Sequence, residues 1–257
     1  MSQDAFDQKK RLIVQELAET LSAVPDASPK GSIDELCVPI IHLINSHSDM
    51  VTTSSCSGRV SVFLEGEKQI GEHEYKIGGK GDGGRWLFVT HDSGNLDNWY
   101  KGIDFHYVQA QPDTSNENTR YILFKFEPLI LHVKCRDLKQ AQKLYQVAMN
   151  CGFRETGIGI NNLVAIRISI KLDIPIGYLN VESQDVFVTE EYLNLVTKLS
   201  LERFKENEKK LKQLYDAIEV LNTTVEQHIE TKEERRDRKR REGLERQQKQ
   251  QEEKSSV

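Results

Sequence analysis

The sequence predicts an α+β fold, or an irregular α/β one, with a mixed sheet, flanking helices and a long C-terminal helix. Three observations carry that prediction. Only 13 of the last 57 residues are hydrophobic against 37% of the whole chain, so the core belongs to the first 200. Within those 200, helical and extended patterns alternate without the regular beat of about 30 residues that a doubly wound sheet requires. From Thr189 onward, apolar residues recur at helical spacing for about 40 residues.

The elements follow in order. Phe6, Leu12, Ile13, Leu17 and Leu21, with charges between them, make residues 5–21 an amphipathic helix. Pro25 and Pro29 break it. Ser32 and Glu35 have the spacing of a capping box and open a second helix along Ile33, Leu36, Cys37, Ile40, Ile41 and Ile44, which Pro39 should kink. Arg59–Leu64, Trp86–His91, Tyr121–Cys135 interrupted at Pro128, and Leu163–Ile170 are rich in β-branched and aromatic residues and read as strands. Leu138–Asn150 is a helix closed by Gly152. Glu65–Arg85 and Asp92–Arg120 read as polar loops, and loops that long are uncommon unless they serve a function. Thr189, followed by Glu190 and Glu191, suits a helix start. Phe204, Leu211, Leu214, Ile218, Leu221 and Val225 share one seam broken by Asn207, too short for a convincing coiled coil, so docking on the body is favoured. The domain organisation that results is a body over residues 1–230 and a charged tail over 231–257.

Charge divides at the same place. Residues 1–230 hold 25 Lys and Arg against 33 Asp and Glu, a formal −8; residues 231–257 hold 10 against 7, a formal +3. No stretch approaches the roughly 18 apolar residues needed to cross a bilayer, so no membrane partner is expected. Cys37, Cys56, Cys135 and Cys151 lack the spacing of a disulfide framework, and no signal segment opens the chain. Free thiols and a cytoplasmic location are the expectation.

Several motifs carry candidate chemistry. Gly79-Lys80-Gly81-Asp82-Gly83-Gly84 is a literal G-x-G-x-x-G, but it precedes a strand instead of joining a strand to a helix, so a dinucleotide site is not supported. His132 and Cys135 have the spacing of a ligand pair, yet on a strand they point to opposite faces. No C-x-x-C or H-E-x-x-H accompanies them, and no metal is assigned. The densest polar cluster is Thr52-Thr53-Ser54-Ser55-Cys56-Ser57-Gly58-Arg59, read as a helix-to-strand junction whose hydroxyls and guanidinium suit a phosphate or carboxylate. Trp86, His91, Glu127, His132 and Arg167 interrupt otherwise apolar strands. Such polar groups need partners, and converging partners often line a ligand pocket.

At TTSSCSGR, followed in order by GKGDGGRWLFVTH, FKFEPLILHVKCR, CGFRETGI and VTEEYL, the chain resembles the tRNA wybutosine-synthesizing protein 3 family, in its fungal form. The resemblance covers Phe6 to Leu221, including Lys30-Gly31-Ser32-x-Asp34, and leaves the tail outside. It implies a non-Rossmann methyltransferase that uses S-adenosyl-L-methionine. The implied target is the N4 ring nitrogen of 7-aminocarboxypropyl-demethylwyosine at position 37 of phenylalanine tRNA. By position, Ser54, Ser55, Cys56, Ser57 and Gly58, with Trp86, Glu127, Thr156 and Gly157, are the implied cofactor-binding residues. Lys30, Arg59 and Arg167 are candidates for the substrate, and His91 or His132 for the base that takes a ring proton. Thr156 stands where the family usually has serine, and Ile168 follows Arg167 where a serine often stands. The anticodon loop is the implied partner, with other enzymes of the same pathway as further candidates. A non-catalytic RNA-binding module presenting modified tRNA to another enzyme is the alternative, and cofactor binding separates the two.

Overall fold

Two long neighbouring strands carry the architecture. The computed structural model describes residues 4–22, 31–69, 75–77, 81–109, 119–180 and 186–226. The elements are α1 (Ala5–Ser22), α2 (Val38–Ser46), β1 (Met50–Leu64), β2 (Glu67–Gln69), β3 (Tyr75–Ile77), β4 (Arg85–Thr90) and β5 (His106–Tyr107). They continue with β6 (Arg120–Cys135), α3 (Leu138–Asn150), β7 (Gly157–Ile158), β8 (Leu163–Arg167), β9 (Leu172–Leu179), β10 (Val186–Val188) and α4 (Glu190–Glu226). Contacts divide the chain into Met1–Ile218, which holds the sheet and the core, and Glu219–Val257, of which residues up to Glu226 are described as helical.

β1 and β6 are antiparallel along almost their whole length, from Met50 opposite Cys135 to Leu64 opposite Ile122. β4 extends the sheet beyond Val60–Leu64, and β6 pairs β9 along its first half and β8 along its second. The order is β4-β1-β6-β9-β10-β5, with β7 and β8 off that path, and the β10–β5 pair is parallel. The sheet is therefore mixed, as expected. Val60, Val62, Ile122, Phe124 and Phe126 form its core with Trp99, Phe105 and Phe204. Burying each such large side chain contributes about 1.5–3 kcal/mol relative to leaving it in water.

Burial along β6 reveals a change of phase. Ile122, Phe124 and Phe126 alternate with half-exposed neighbours, then Leu129, Leu131, Val133 and Cys135 do, so the buried positions shift by one residue across Glu127-Pro128. The strand expected to be interrupted at Pro128 runs through it, and the phase shift is what the proline marks.

Other expectations are corrected. The hydroxyl cluster is not a junction loop but part of β1, which begins at Met50. The Ser32–Glu35 capping box does not form. Glu35–Cys37 is a short 3-10 turn with Asp34 before it, and α2 follows with Pro39 in its first turn, where the missing amide costs nothing and no kink arises. The polar stretch 92–120 supplies core residues, since Leu96, Trp99, Tyr100 and Phe105 are buried, and Trp99 Nε1 donates to Thr197 on α4 at 2.8 Å. Phe204, Leu211, Leu214 and Ile218 are buried as docking predicts, and Asn207 is turned inward with them at 1% exposed. The short β2, β3, β5, β7 and β10, and the eight-residue β9, were not expected.

Candidate active site

A polar strip follows the β1–β6 ladder, in three groups. At one end Ser54 stands directly opposite His132, with Ser54 Oγ 2.7 Å from His132 Nδ1. Ala165 of β8 is His132's other neighbour, and Nη2 of Arg167, two residues on, lies 3.5 Å from His132 Nε2. A guanidinium only donates, so Nε2 presents its lone pair and the neutral ring carries its proton on Nδ1, toward Ser54. Burial, and then the charge of Arg167, lowers the pKa of His132 from its ordinary value. Thr156 braces this end: its hydroxyl donates to the Phe153 carbonyl at 2.6 Å and accepts from the Arg167 amide at 3.5 Å. Gly157 pairs with Ala165 beside it.

The middle group is Asp34, Cys56 and His91, whose ligand-type atoms lie within 4.8 Å of one another. Asp34 is buried before the α2 turn, and its Oδ2 accepts from the Ser57 amide at 2.7 Å and stands 4.0 Å from His91 Nε2. Burial pushes the Cys56 thiol up, while the Gly58 amide draws it down by hydrogen bonding to the sulfur. A metal ion could span these three atoms, but one of Asp34's oxygens is already used by a backbone amide, and burial favours the protonated thiol. The histidine-cysteine pair considered from sequence is split as expected, since Cys135 is fully buried and its thiol is pushed up to about 12.

At the far end Arg59 Nε donates to Glu127 Oε2 at 2.7 Å, across directly opposed positions. Both side chains are exposed enough to reach a ligand. Five residues of strand separate this pair from Ser54 and His132, about 16 Å at the usual rise, and the change of burial phase at Glu127-Pro128 offsets the odd spacing that would otherwise turn the two pairs to opposite faces. A nucleoside-sized molecule with polar groups at both ends would span it.

The structure does not gather every expected residue. Ser55 stands opposite buried Leu131, and strand alternation turns it away from Ser54 and Cys56. Ser57 is buried and contributes its backbone. Trp86 lies on β4 opposite Phe63, their rings 4.8 Å apart, and is five residues from His91 along the chain. It is 47% exposed. Lys30 lies outside the described residues. Sequence reasoning assigned no role to Asp34 and took Asn207 only as a flaw in a seam; a carboxylate just before an apolar helix and a carboxamide within an apolar stripe were the available signals.

Comparison with known proteins bears on this geometry. The family model described as Methyltransferase TYW3 matches residues 8–220. The chain is 54% identical to tRNA wybutosine-synthesizing protein 3 of Saccharomyces cerevisiae over 265 residues, covering 96% of each chain. It is 41% identical to the protein of the same name from Schizosaccharomyces pombe over 220 residues, covering 84% of this chain and 87% of that one. Among solved structures, the PH1069 protein from Pyrococcus horikoshii OT3 is similar with a TM-score of 0.64 at 29% identity, over 86% of this chain and 96% of that one.

Proposed function

The chain belongs to the Methyltransferase TYW3 family, and from that premise we propose that it methylates ring nitrogen N4 of 7-aminocarboxypropyl-demethylwyosine at position 37 of phenylalanine tRNA, with S-adenosyl-L-methionine as donor, in the cytoplasm. Membership in a methyltransferase family makes it an enzyme and sets aside the non-catalytic alternative. The observation that carries the finer reading is the Ser54–His132–Arg167 arrangement at one end of a strip whose other end holds Arg59 and Glu127.

The residues present fit that donor's chemistry. Arg59 suits a carboxylate and Glu127 a ribose hydroxyl or an ammonium, both from exposed positions. The indole of Trp86, exposed on β4, is of a type that suits a cation or a base. S-adenosyl-L-methionine, held by these residues, would supply a sulfonium-activated methyl group for the ring nitrogen. His132 takes the ring proton on Nε2, because its neutral form is favoured there; the Arg167 guanidinium that now donates to that lone pair must turn away as the substrate enters. Ser54 holds the opposite edge of the ring, and Arg167 is set to meet a tRNA phosphate or the substrate's carboxylate beside it. His91, held by Asp34, is the rival base.

The test is direct. Purified protein, phenylalanine tRNA lacking this methyl group and S-adenosyl-L-methionine are combined, and the modified nucleoside is weighed. A gain of one methylene in mass supports the reading, and no gain with folded protein rejects it. His132→Ala lowers kcat by about 10²–10⁴, the usual value of a general base. Full turnover in that variant, with loss in His91→Ala, transfers the role to His91.

A further inference from the structure

The ladder is open beside the strip, and the residue that spans the opening comes from neither strand. Pro128 has no amide to give. The next amide, that of Leu129, donates to Oδ1 of Asn207 on α4 at 2.7 Å. Nδ2 of the same side chain donates to the Ser57 carbonyl at 2.7 Å. The Ser57 amide donates the other way, to Asp34. Both backbone groups of Ser57 are thus satisfied by side chains from outside the sheet. Gly58 follows at φ 106°, and a Cβ there would lie 3.1 Å from Asn207 Nδ2, 3.1 Å from the Glu127 carbonyl oxygen and 3.3 Å from the Pro128 carbonyl carbon.

Asn207 occupies a position where the helix pattern calls for an apolar residue. It lies between Phe204 and Leu211, both buried. A buried carboxamide is costly unless bonded at both ends, and this one is bonded at both. The opening coincides with the change of burial phase between Phe126 and Leu129. On one side of it Cys56 meets Asp34 and His91; on the other Arg59 meets Glu127.

We propose that Asn207 is a positioning residue for methyl transfer: its carboxamide replaces the missing rungs of the ladder and holds the Ser57-Gly58 opening that sets Cys56 against Asp34 and Arg59 against Glu127. Without it, the Ser57 carbonyl and the Leu129 amide either stay unbonded or draw the strands together, and each outcome moves the middle of the strip. The inference rests on reading that strip as the methyl-transfer site.

The experiment compares Asn207→Ala with Leu214→Ala, a buried apolar truncation on the same helix, in a Cys151→Ser background. Thermal stability, kcat and KM for S-adenosyl-L-methionine, and the rate of maleimide alkylation at Cys56, followed by peptide mass, are measured below both midpoints. Both variants lose stability. Asn207→Ala alone loses tenfold or more in kcat/KM and alkylates Cys56 several-fold faster, while Leu214→Ala matches the parent in both. Asn207→Asp keeps the acceptor for Leu129 and loses the donor to Ser57; it falls between, and it is read in place of Asn207→Ala if the latter does not fold. Asn207 variants that track Leu214→Ala in kinetics and alkylation overturn the proposal. A parent protein that transfers no methyl group overturns the functional reading instead, and Cys56 alkylation still decides the role of Asn207.

Discussion

His132 concentrates the residue-scale chemistry, because the state of one proton decides whether it can act as a base. Burial and the nearby Arg167 charge both disfavour the imidazolium, so its pKa lies below the ordinary value of about 6.5. The sign follows: the neutral, proton-accepting form dominates above the lowered pKa and is lost as pH falls through it. The acidic limb of kcat/KM therefore sits below about pH 6.5. Arg167→Gln removes the smaller of the two causes and moves that limb upward, which a pH-rate profile reads directly; an unmoved limb excludes His132 as its source. The pairing behind this prediction was hidden in the sequence. His132 and Ser54 are both conspicuous there, but 78 residues separate them, and only the register of β1 on β6 makes them neighbours. Ser55, equally conspicuous, is excluded by the same alternation that admits Ser54.

Among whole elements, the contrast between α1 and β1 shows what periodicity can and cannot reveal. The bounds of α1 agree with its pattern to within a residue, yet Leu12 is 60% exposed and Leu21 45% exposed, so the stripe that predicted the helix is not what docks it. Its attachment is largely polar. Arg136, just after β6, bonds Asp4, Asp7 at 2.5 Å and Asp49 at 2.7 Å, and its guanidinium lies 4.7 Å from the centre of the Phe6 ring. Lys10 reaches the carbonyls of His47 and Met50. Long-range contacts among charges leave no period in a sequence, so this docking was not legible. Arg136→Ala is expected to free α1 while leaving the sheet intact: amide exchange in Phe6–Leu21 accelerates tenfold or more, and exchange in β6 stays as it was. Equal acceleration in both would mean that α1 and the sheet unfold as one unit. β1 was misjudged for the opposite reason. Serines and threonines favour turns as readily as exposed strand positions, and only pairing with β6 decides between them.

For the molecule as a whole the problem is charge. A tRNA is a polyanion, and the formal −8 of residues 1–230 repels it, whereas residues 231–257 carry +3. The strip's own cations are few, and Arg59 is already shared with Glu127. Binding through phosphates must therefore draw on the tail or on local concentration of positive potential, and the two sources respond differently to salt. Each phosphate neutralised by the protein adds about 0.7–0.9 to the slope of log affinity against log salt. Deleting Glu233–Val257 removes 9 of the tail's 10 cations and all 7 of its acids. If the tail engages RNA, the deletion lowers tRNA affinity and flattens the salt slope by at least one phosphate's worth, while turnover at saturating tRNA changes little, because no residue of the strip is touched. Titration of labelled tRNA at several salt concentrations, beside single-turnover rates, separates binding from chemistry. An unchanged slope with unchanged affinity assigns all of the recognition to the body, and the search for phosphate contacts then moves to Arg167.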